Sequence, residues 1–428
     1  MRVLLLGSGG RESALASALD RSPSVTDVVV APGNPGVARF ATCISVNAED
    51  PVKVVALARE LKPNLVVIGP EAPLVAGVGD ALREEGIDVF GPDRAAARIE
   101  GSKFYAKQLM ERAGVPTASG RAFTAVSDAV AYMDSLGPPY VVKADGLAAG
   151  KGVVVSEDRD EAMGAIEDRI ERGMFGSAGR TVIVEEYLDG PEASLIAVSD
   201  GSIVVPLEPA QDYKRADDDD AGPNTGGMGS YSPVPACPPP LAERIVGEII
   251  EPTIAATAKE GAPFVGAIYA GLALTTRGPR VIEFNVRFGD PETQAIIPRL
   301  ESDFGELCVA CAKGDLAGTK LNFSTDACVS VVLASRGYPG GYERGMPIEG
   351  VDEAAALEGV QIFHAGTARR EDRLVTDGGR VLAVSALGSS FRAARRRAYE
   401  AADLIRFEGK HVRTDIAARA VAAEETVA

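Results

Sequence analysis

The chain of 428 residues has no tryptophan, two histidines and five cysteines, and its aromatic content is 5%. Each scarcity excludes something. His364 and His411 both fall in the last fifth of the chain, so no imidazole base or ligand is available from anything before them. Five cysteines, an odd number in a long chain, fit free thiols in a reducing compartment and a cytoplasmic location, not a disulfide framework. Cys308 and Cys311 form a CxxC, but no second pair completes a zinc site. A redox pair opens a helix after a strand, whereas these lie inside a helix-like run, and they read as buried structural thiols. No run of about 18 apolar residues suggests a membrane span. The opening MRVLLLGSGG reaches glycine too soon to be a signal peptide. Positive charge is short as well: 44 Lys and Arg against 61 Asp and Glu leave −17, which argues against a nucleic-acid partner. Lysine is the scarcer cation, 11 against 33 arginines, yet Lys103, Lys107, Lys143, Lys151 and Lys214 all lie in or beside glycine-rich motifs.

With 46% hydrophobic and 25% charged residues, the chain reads as an ordinary globular protein of two to four domains. Its first hundred residues alternate strand-like runs (VLLL at 3–6, DVVVA at 27–31, LVVIG at 65–69, VFG at 89–91) with helix-like stretches, the pattern of a parallel sheet. The loops APGNPG and GPEAPLVAG follow strand ends, where an open α/β sheet places its ligands. From about residue 102 helices alternate with hairpin-like strands, a long polar stretch covers 211–240, and a third, strand-rich then helical, region begins after about 325.

Five motifs carry chemistry. The stretch RVLLLGSGGRES comes close to a nicotinamide fingerprint, but Glu12 replaces the third glycine and the second strand ends in Ala31-Pro32-Gly33-Asn34 without an acid for the ribose. Gly9, Gly10 and Arg11 at a helix start suit a phosphate; a turn that only lets strand and helix pack closely is the plainer reading. In VVKADGLAAGKGVVV, at 141–155, the glycines are spaced one residue short of a P-loop and no Ser or Thr follows for magnesium. Lying between two strand runs, it reads as a hairpin flap whose Gly146, Gly150 and Gly152 let backbone amides close over polyphosphate, with Lys143 and Lys151 as point charges. A plain tight hairpin would explain the glycines but not the lysines.

In RVIEFNVRFGDPETQ, at 280–294, a period of two sets Glu283, Asn285 and Arg287 on one strand face and Ile282, Phe284 and Val286 on the other. A carboxylate and an amide oxygen two residues apart suit Mg²⁺, with Arg287 toward the same anion; an edge strand with a solvated polar face is the alternative. In VEEYLDGPEASL, Glu185, Glu186 and Glu192 follow a buried-type strand and could hold adenine and ribose, or form a solvated acidic loop. Finally, 210–233 mixes Asn, Thr and Gly in what reads as a long substrate loop.

Taken in order, GSGGRESA, GPEAPLVAG, GSK, VVKADGLAAGKGV, GPNTGGMGSYSP, EFNVRFGDPETQ, FHAGT and GGRVLAVSALG closely resemble the glycinamide ribonucleotide synthetase family of the ATP-grasp superfamily, from the N-terminus to about residue 420. The resemblance implies an α/β and α+β multidomain fold: an N-terminal Rossmann-like parallel sheet (1–102), a central ATP-grasp domain (103–325) with a flap subdomain at about 122–192, and a small C-terminal α+β domain (326–421). It implies an ATP-dependent ligase that joins glycine to 5-phosphoribosylamine through a glycyl phosphate, with Mg²⁺ or Mn²⁺, as a monomer or weak dimer.

Carried over by motif, Lys103 and Lys143 hold the ATP phosphates, the 144–152 flap covers them, and Glu185, Glu186, Leu188 and Glu192 grip adenine and ribose. Glu283 and Asn285 are metal ligands. Gly9, Gly10, Glu71, Asp212, Lys214, Asn224, Arg287, Asp290 and Glu292 surround the other substrates, with Arg287 and Lys143 in catalytic roles. The chain departs from the family pattern at Ser13 and Tyr213, where histidine is usual, and ADDDDA at 216–221 reads as a surface change.

Three other functions are weighed against this one. The GPNTGGMG and FNVRFGDPETQ loops oppose a different carboxylate–amine ligase or a carboxylase. Intact Lys143, Glu283 and Asn285 oppose a nucleotide-binding regulator without turnover. Glu12 and the missing acid oppose a nicotinamide oxidoreductase.

Overall fold

The first apolar runs pair side by side. In the computed structural model, which describes residues 1–146, 152–174 and 180–427, β1 (Arg2–Gly7), β2 (Asp27–Pro32), β3 (Thr42–Cys43), β4 (Leu65–Ile68) and β5 (Val89–Phe90) form one sheet in the order β3-β2-β1-β4-β5. Every pairing in it is parallel. Leu4 and Leu6 enter one core cluster and Val3 and Leu5 another, so a strand covered on both faces accounts for an unbroken apolar run. The connecting helices are α1 (Gly10–Arg21), α2 (Pro51–Leu61), α3 (Glu71–Ala76), α4 (Val78–Glu84) and α5 (Arg94–Gly101). Asp50 and Asp93 cap α2 and α5 by accepting first-turn N–H groups. The carboxyl ends of β1 and β4 bring the turns at Gly7–Gly9 and Gly69–Glu71 together, Gly69 donating to the Leu6 carbonyl at 3.0 Å.

After α6 (Lys103–Ala113), the strands β6 (Gly120–Phe123), β7 (Tyr140–Ala144), β8 (Val153–Ser156) and β9 (Val182–Glu185) make an antiparallel sheet in the order β6-β9-β7-β8. It packs with α7 (Val126–Leu136) and α8 (Arg159–Ile170) around a core of its own that includes Met133, Val142, Ile166 and Val184. Next come β10 (Glu192–Asp200) and β11 (Val204–Pro206). The polar stretch expected as a loop is instead largely strand: β12 (Gln211–Asp212), β13 (Arg215–Asp217), β14 (Ala221–Asn224) and β15 (Gly229–Ser232). Its small and polar residues hid this, because short strands held by neighbouring ladders need no apolar alternation of their own.

The central sheet, β11-β10-β16-β17, is completed by β16 (Val265–Thr275) and β17 (Gly278–Asn285), with α9 (Pro239–Ile245), α10 (Glu251–Lys259), α11 (Glu292–Ile296) and α12 (Phe304–Lys313) around it. Cys308 and Cys311 are buried free thiols on α12, and burial raises both above the ordinary thiol range.

The last region contributes β18 (Ala327–Ser335), α13 (Val351–Ala355), β19 (Val360–His364), the hairpin β20 (Thr367–Arg370) and β21 (Arg373–Thr376), β22 (Arg380–Gly388), α14 (Phe391–Leu404), β23 (Lys410–His411) and α15 (Ala418–Val427). Its main sheet runs β12-β15-β18-β22-β19, so two strands from before residue 240 pair into it and the sheet crosses the boundary expected at 325/326. Among the described residues no helix is long and apolar enough to cross a membrane.

Candidate active site

Glu12 stands where the fingerprint would have its third glycine, and its side chain occupies the turn. It is buried, accepts the Gly9 N–H at 2.7 Å and pairs with Arg11 at 2.5 Å. Gly7 and Gly69 leave room for it: a Cβ on either would lie 2.4 Å from Glu12 side-chain atoms. Glu12 is thus the N3 member that satisfies the helix start from inside. The Gly9 amide and the Arg11 guanidinium are thereby tied into the turn, and Arg11 also donates to the Phe288 carbonyl at 3.2 Å and faces Glu71 at 4.0 Å.

The lysines converge. Lys143, on β7, has its ammonium 2.7 Å from one oxygen of Glu185, while Lys107 on α6 lies 2.8 Å from the other. Burial would raise the Glu185 carboxyl, but Lys143 and Lys107 hold it below the usual range. Burial also lowers the Lys107 ammonium, as expected where two cations share one anion. Lys143 further donates to the Ile282 carbonyl at 2.9 Å. Lys103 meets Glu283 at 3.3 Å, so the lysine and the carboxylate assigned to phosphate and metal are neighbours.

Asp145, just past β7, accepts from the Ser102 hydroxyl at 3.0 Å and the Phe104 N–H at 3.1 Å, tying the start of the glycine-rich turn to α6. Gly146 and Gly152 belong to the described part of that turn; Gly150 and Lys151 lie outside the described residues.

β17 carries a bulge. Gly271 pairs with Glu283 but Leu272 with Val281, leaving Ile282 as the extra residue. Val281 therefore takes the core place expected of Ile282, which is half-exposed, while Phe284, Val286 and Phe288 stay buried. Glu283, Asn285 and Arg287 still alternate with them. Burial would raise the Glu283 carboxyl, yet Lys103, Lys214 and Lys143 bring it down to about 2. An ionised carboxylate with an amide oxygen two residues on is the hard-oxygen pair Mg²⁺ accepts alongside phosphates. Arg287 pairs with Glu71 and with Glu100, each at 3.2 Å, and donates to the Phe288 carbonyl at 3.1 Å. Burial raises Glu100, which also accepts the Val286 N–H at 2.7 Å.

Beyond the strand, Asp290 pairs with Arg380 at 3.0 Å and accepts from Gln294 at 2.6 Å. Glu292 is buried at the start of α11 and accepts from the Tyr269 hydroxyl at 3.0 Å, which itself shares a hydrogen bond with Ser194 at 2.7 Å. Lys214 pairs with Glu192 at 2.6 Å, joining a residue assigned to ribose with one assigned to the other substrates. Burial pushes the Asp212 carboxyl up to about 7, with Lys214 opposing and Glu292 and Glu192 assisting. Glu186 is held apart from this group by the Ser119 N–H at 2.9 Å and Arg277 at 3.3 Å, and Leu188 follows it, half-buried, in a segment without regular structure whose neighbouring residues are exposed. Asn224 donates to the Val153 carbonyl at 3.4 Å, linking the polar segment to β8.

The two positions where histidine was expected look toward the C-terminal region. Ser13 Oγ accepts the His364 N–H at 3.2 Å; the Tyr213 hydroxyl accepts the Ala417 N–H at 2.9 Å, with the Arg413 guanidinium 4.8 Å above its ring. The tract 217–220 is not merely a surface change. Asp218 accepts from the Thr414 N–H at 2.7 Å and from its hydroxyl, and Asp220 pairs with Arg413 at 3.1 Å and Arg419 at 2.7 Å. Glu100, Tyr269 and Tyr338 lie outside the motifs that draw attention in the sequence, whereas Ser194 and Arg380 lie inside VEEYLDGPEASL and GGRVLAVSALG without being singled out there. Lys107 carried a signal, the local excess of lysine.

The overall arrangement has solved counterparts. A biotin carboxylase from Campylobacter jejuni superposes with a TM-score of 0.73 over 96% of this chain and 92% of that one at 16% identity, a likeness of fold alone. Residues 101–293 match the family described as Phosphoribosylglycinamide synthetase, ATP-grasp (A) domain, which gives the central region its class. Residues 1–100 and 328–419 match the N and C domains described under the same name. Phosphoribosylamine–glycine ligase from Streptomyces coelicolor is 51% identical over 426 residues, covering 99% of this chain and all of that relative. The Agrobacterium fabrum protein of that name is 50% identical over 425 residues, again 99% of this chain and 100% of the relative. The crystal structure of the Thermotoga maritima phosphoribosylamine–glycine ligase superposes with a TM-score of 0.84 at 36% identity, over 97% of this chain and 100% of that one. The chain belongs to the phosphoribosylglycinamide synthetase family.

Proposed function

We propose that the chain couples ATP hydrolysis to amide formation between glycine and 5-phosphoribosylamine, giving glycinamide ribonucleotide, ADP and phosphate. The observation that carries this reading is the meeting of Lys103 with Glu283 at 3.3 Å, on a strand that continues into Arg287, Asp290 and Glu292. Nucleotide chemistry and acceptor chemistry are thereby adjacent along one stretch of chain. Full-length relatives of the same name support the choice of substrates.

A carboxylate does not form an amide unaided. A glycine oxygen attacks the γ-phosphorus, ADP leaves, and the acyl phosphate is glycyl phosphate. The amine nitrogen of phosphoribosylamine then attacks the acyl carbon, the C–O bond to phosphate breaks, and one amine proton leaves with the phosphate. No side-chain nucleophile enters; the work is alignment and charge stabilisation.

Lys103 and Lys143 meet the ATP phosphates, Gly146, Gly150, Lys151 and Gly152 take part in binding them, and Lys143 and Arg287 offset the charge of the phosphoryl in flight. Glu283 and Asn285 would hold Mg²⁺ or Mn²⁺, and the metal would supply charge neutralisation for the phosphates. Glu186, Leu188 and Glu192 line the nucleoside end. Glu185 acts by fixing Lys143, because its carboxylate is already shared between two lysines. Gly9, Gly10, Glu71, Asp212, Lys214, Asn224, Asp290 and Glu292 surround glycine and phosphoribosylamine. We read 1–102, 103–325 with a flap at about 122–192, and 326–421 as the working units, in a cytoplasmic monomer or weak dimer.

The test is ADP release with glycine and freshly prepared phosphoribosylamine, each omitted in turn. Release that needs both supports the reading; release indifferent to phosphoribosylamine, or none, overturns it.

A further inference from the structure

Arg380 opens β22 in the C-terminal region, where the β18–β22 ladder shifts register between Leu333 and Ala334. Its guanidinium leaves that sheet and reaches two segments at once. Nη1 donates to the Gly226 carbonyl at 2.5 Å and the Asp290 carbonyl at 2.7 Å, and Nη2 pairs with the Asp290 carboxylate at 3.0 Å. From the same region the Tyr338 hydroxyl accepts the Gly226 N–H at 2.9 Å. The two segments also touch directly, since a Cβ on Gly227 would lie 2.3 Å from Pro291 Cδ. Burial would raise the Asp290 carboxyl, but Arg380 first and Arg11 next hold it below its usual range.

A guanidinium presents several donors in a fixed plane, so one side chain can fix two carbonyls and a carboxylate together; an ammonium cannot reproduce that fork. We propose that Arg380 is a positioning residue that, with Tyr338, clamps the 224–227 turn to the 290–292 segment so that Asn224, Asp290 and Glu292 present one fixed wall to the acceptor substrates. This rests on the function proposed above and extends it to a region without an assigned role in the reaction. The clamp acts on the glycine and phosphoribosylamine side, because Lys103, Lys143 and Glu185 make their contacts elsewhere.

The experiment is steady-state kinetics of wild type, Arg380→Ala, Arg380→Lys and Tyr338→Phe, varying each substrate separately, with melting temperatures alongside. Arg380→Ala is expected to raise KM for glycine or phosphoribosylamine about tenfold or more while KM for ATP stays within about twofold. Arg380→Lys should recover part of the loss, and Tyr338→Phe should shift the same KM less. Parallel change in all three KM values, or a lower melting temperature with unchanged KM values, overturns the clamp. Should Arg380→Ala fail to fold, the Lys and Phe variants decide by the same split. A wild type without glycine- and phosphoribosylamine-dependent ADP release refutes the function itself; an active wild type with unaltered variants refutes only the clamp.

Discussion

The Lys143 ammonium sits 2.7 Å from a carboxylate oxygen of Glu185, a side chain only 5% exposed. Because Lys107 holds the other oxygen, Glu185→Gln leaves two buried ammonium groups facing each other. The loss expected is about 3 kcal/mol of stability, the scale of breaking a buried ion pair from one side. Adding Lys107→Met removes the repulsion and should restore part of it. Urea unfolding of the two single variants and the double measures this, and strictly additive losses would show that the three groups do not act together.

Glu283 and Ser13 separate charge at the reaction centre from packing between regions. Glu283→Gln keeps the shape and removes the anion that meets Lys103, so kcat/KM should fall about 100-fold or more. Ser13→Ala removes the acceptor of the His364 N–H, which costs stability of about 1–3 kcal/mol and little rate. Equal losses of rate in the two variants would mean that the metal ligands are misassigned.

His364 ties stability to pH. It is buried, its Nδ1 lies 3.1 Å from the Thr367 hydroxyl, and burial, aided by Arg39 and Arg369 and opposed by Asp352, lowers it from 6.5 to about 4. In the unfolded chain the imidazole takes up its proton near the ordinary value, while the folded protein resists until about 4. Stability is therefore lost as pH falls from about 6.5 to about 4, by roughly 3 kcal/mol in total. The gap between wild type and His364→Asn in urea unfolding should change across that window and be level above pH 7. A gap that stays constant from pH 7 to 4.5 contradicts the assignment.

Much of the fold is legible in the sequence. Strand-like runs at 3–6, 27–31 and 65–69 became the parallel sheet because period and apolar content agree there. Glu283 and Asn285 were legible because alternation in a strand fixes direction, even though the bulge at Ile282 lay beyond that rule. The strands of 211–232 were not legible, since β15 pairs with β18 about a hundred residues away and the rest are short ladders of small and polar residues built on it or beside it. The place of Glu12 inside the turn was not legible for a similar reason. Its place depends on Gly69, far along the chain, as much as on Gly7 beside it. Arg380 lies in a recognised stretch, but its reach to Gly226 and Asp290 is a matter of tertiary distance.

The strand pairing of Gly229–Ser232 with Cys328–Val331 has a consequence for how such a chain can be recombined. A gene cut at residue 325 would produce two fragments that each expose a bare, hydrogen-bonding edge where their shared ladder had been. Such fragments invite self-association, and in a chimera joined at that point the ladder would have to form between strands from two parents. A chimera that keeps β12, β15, β18 and β22 from one parent respects the sheet, whatever the linear order of its domains.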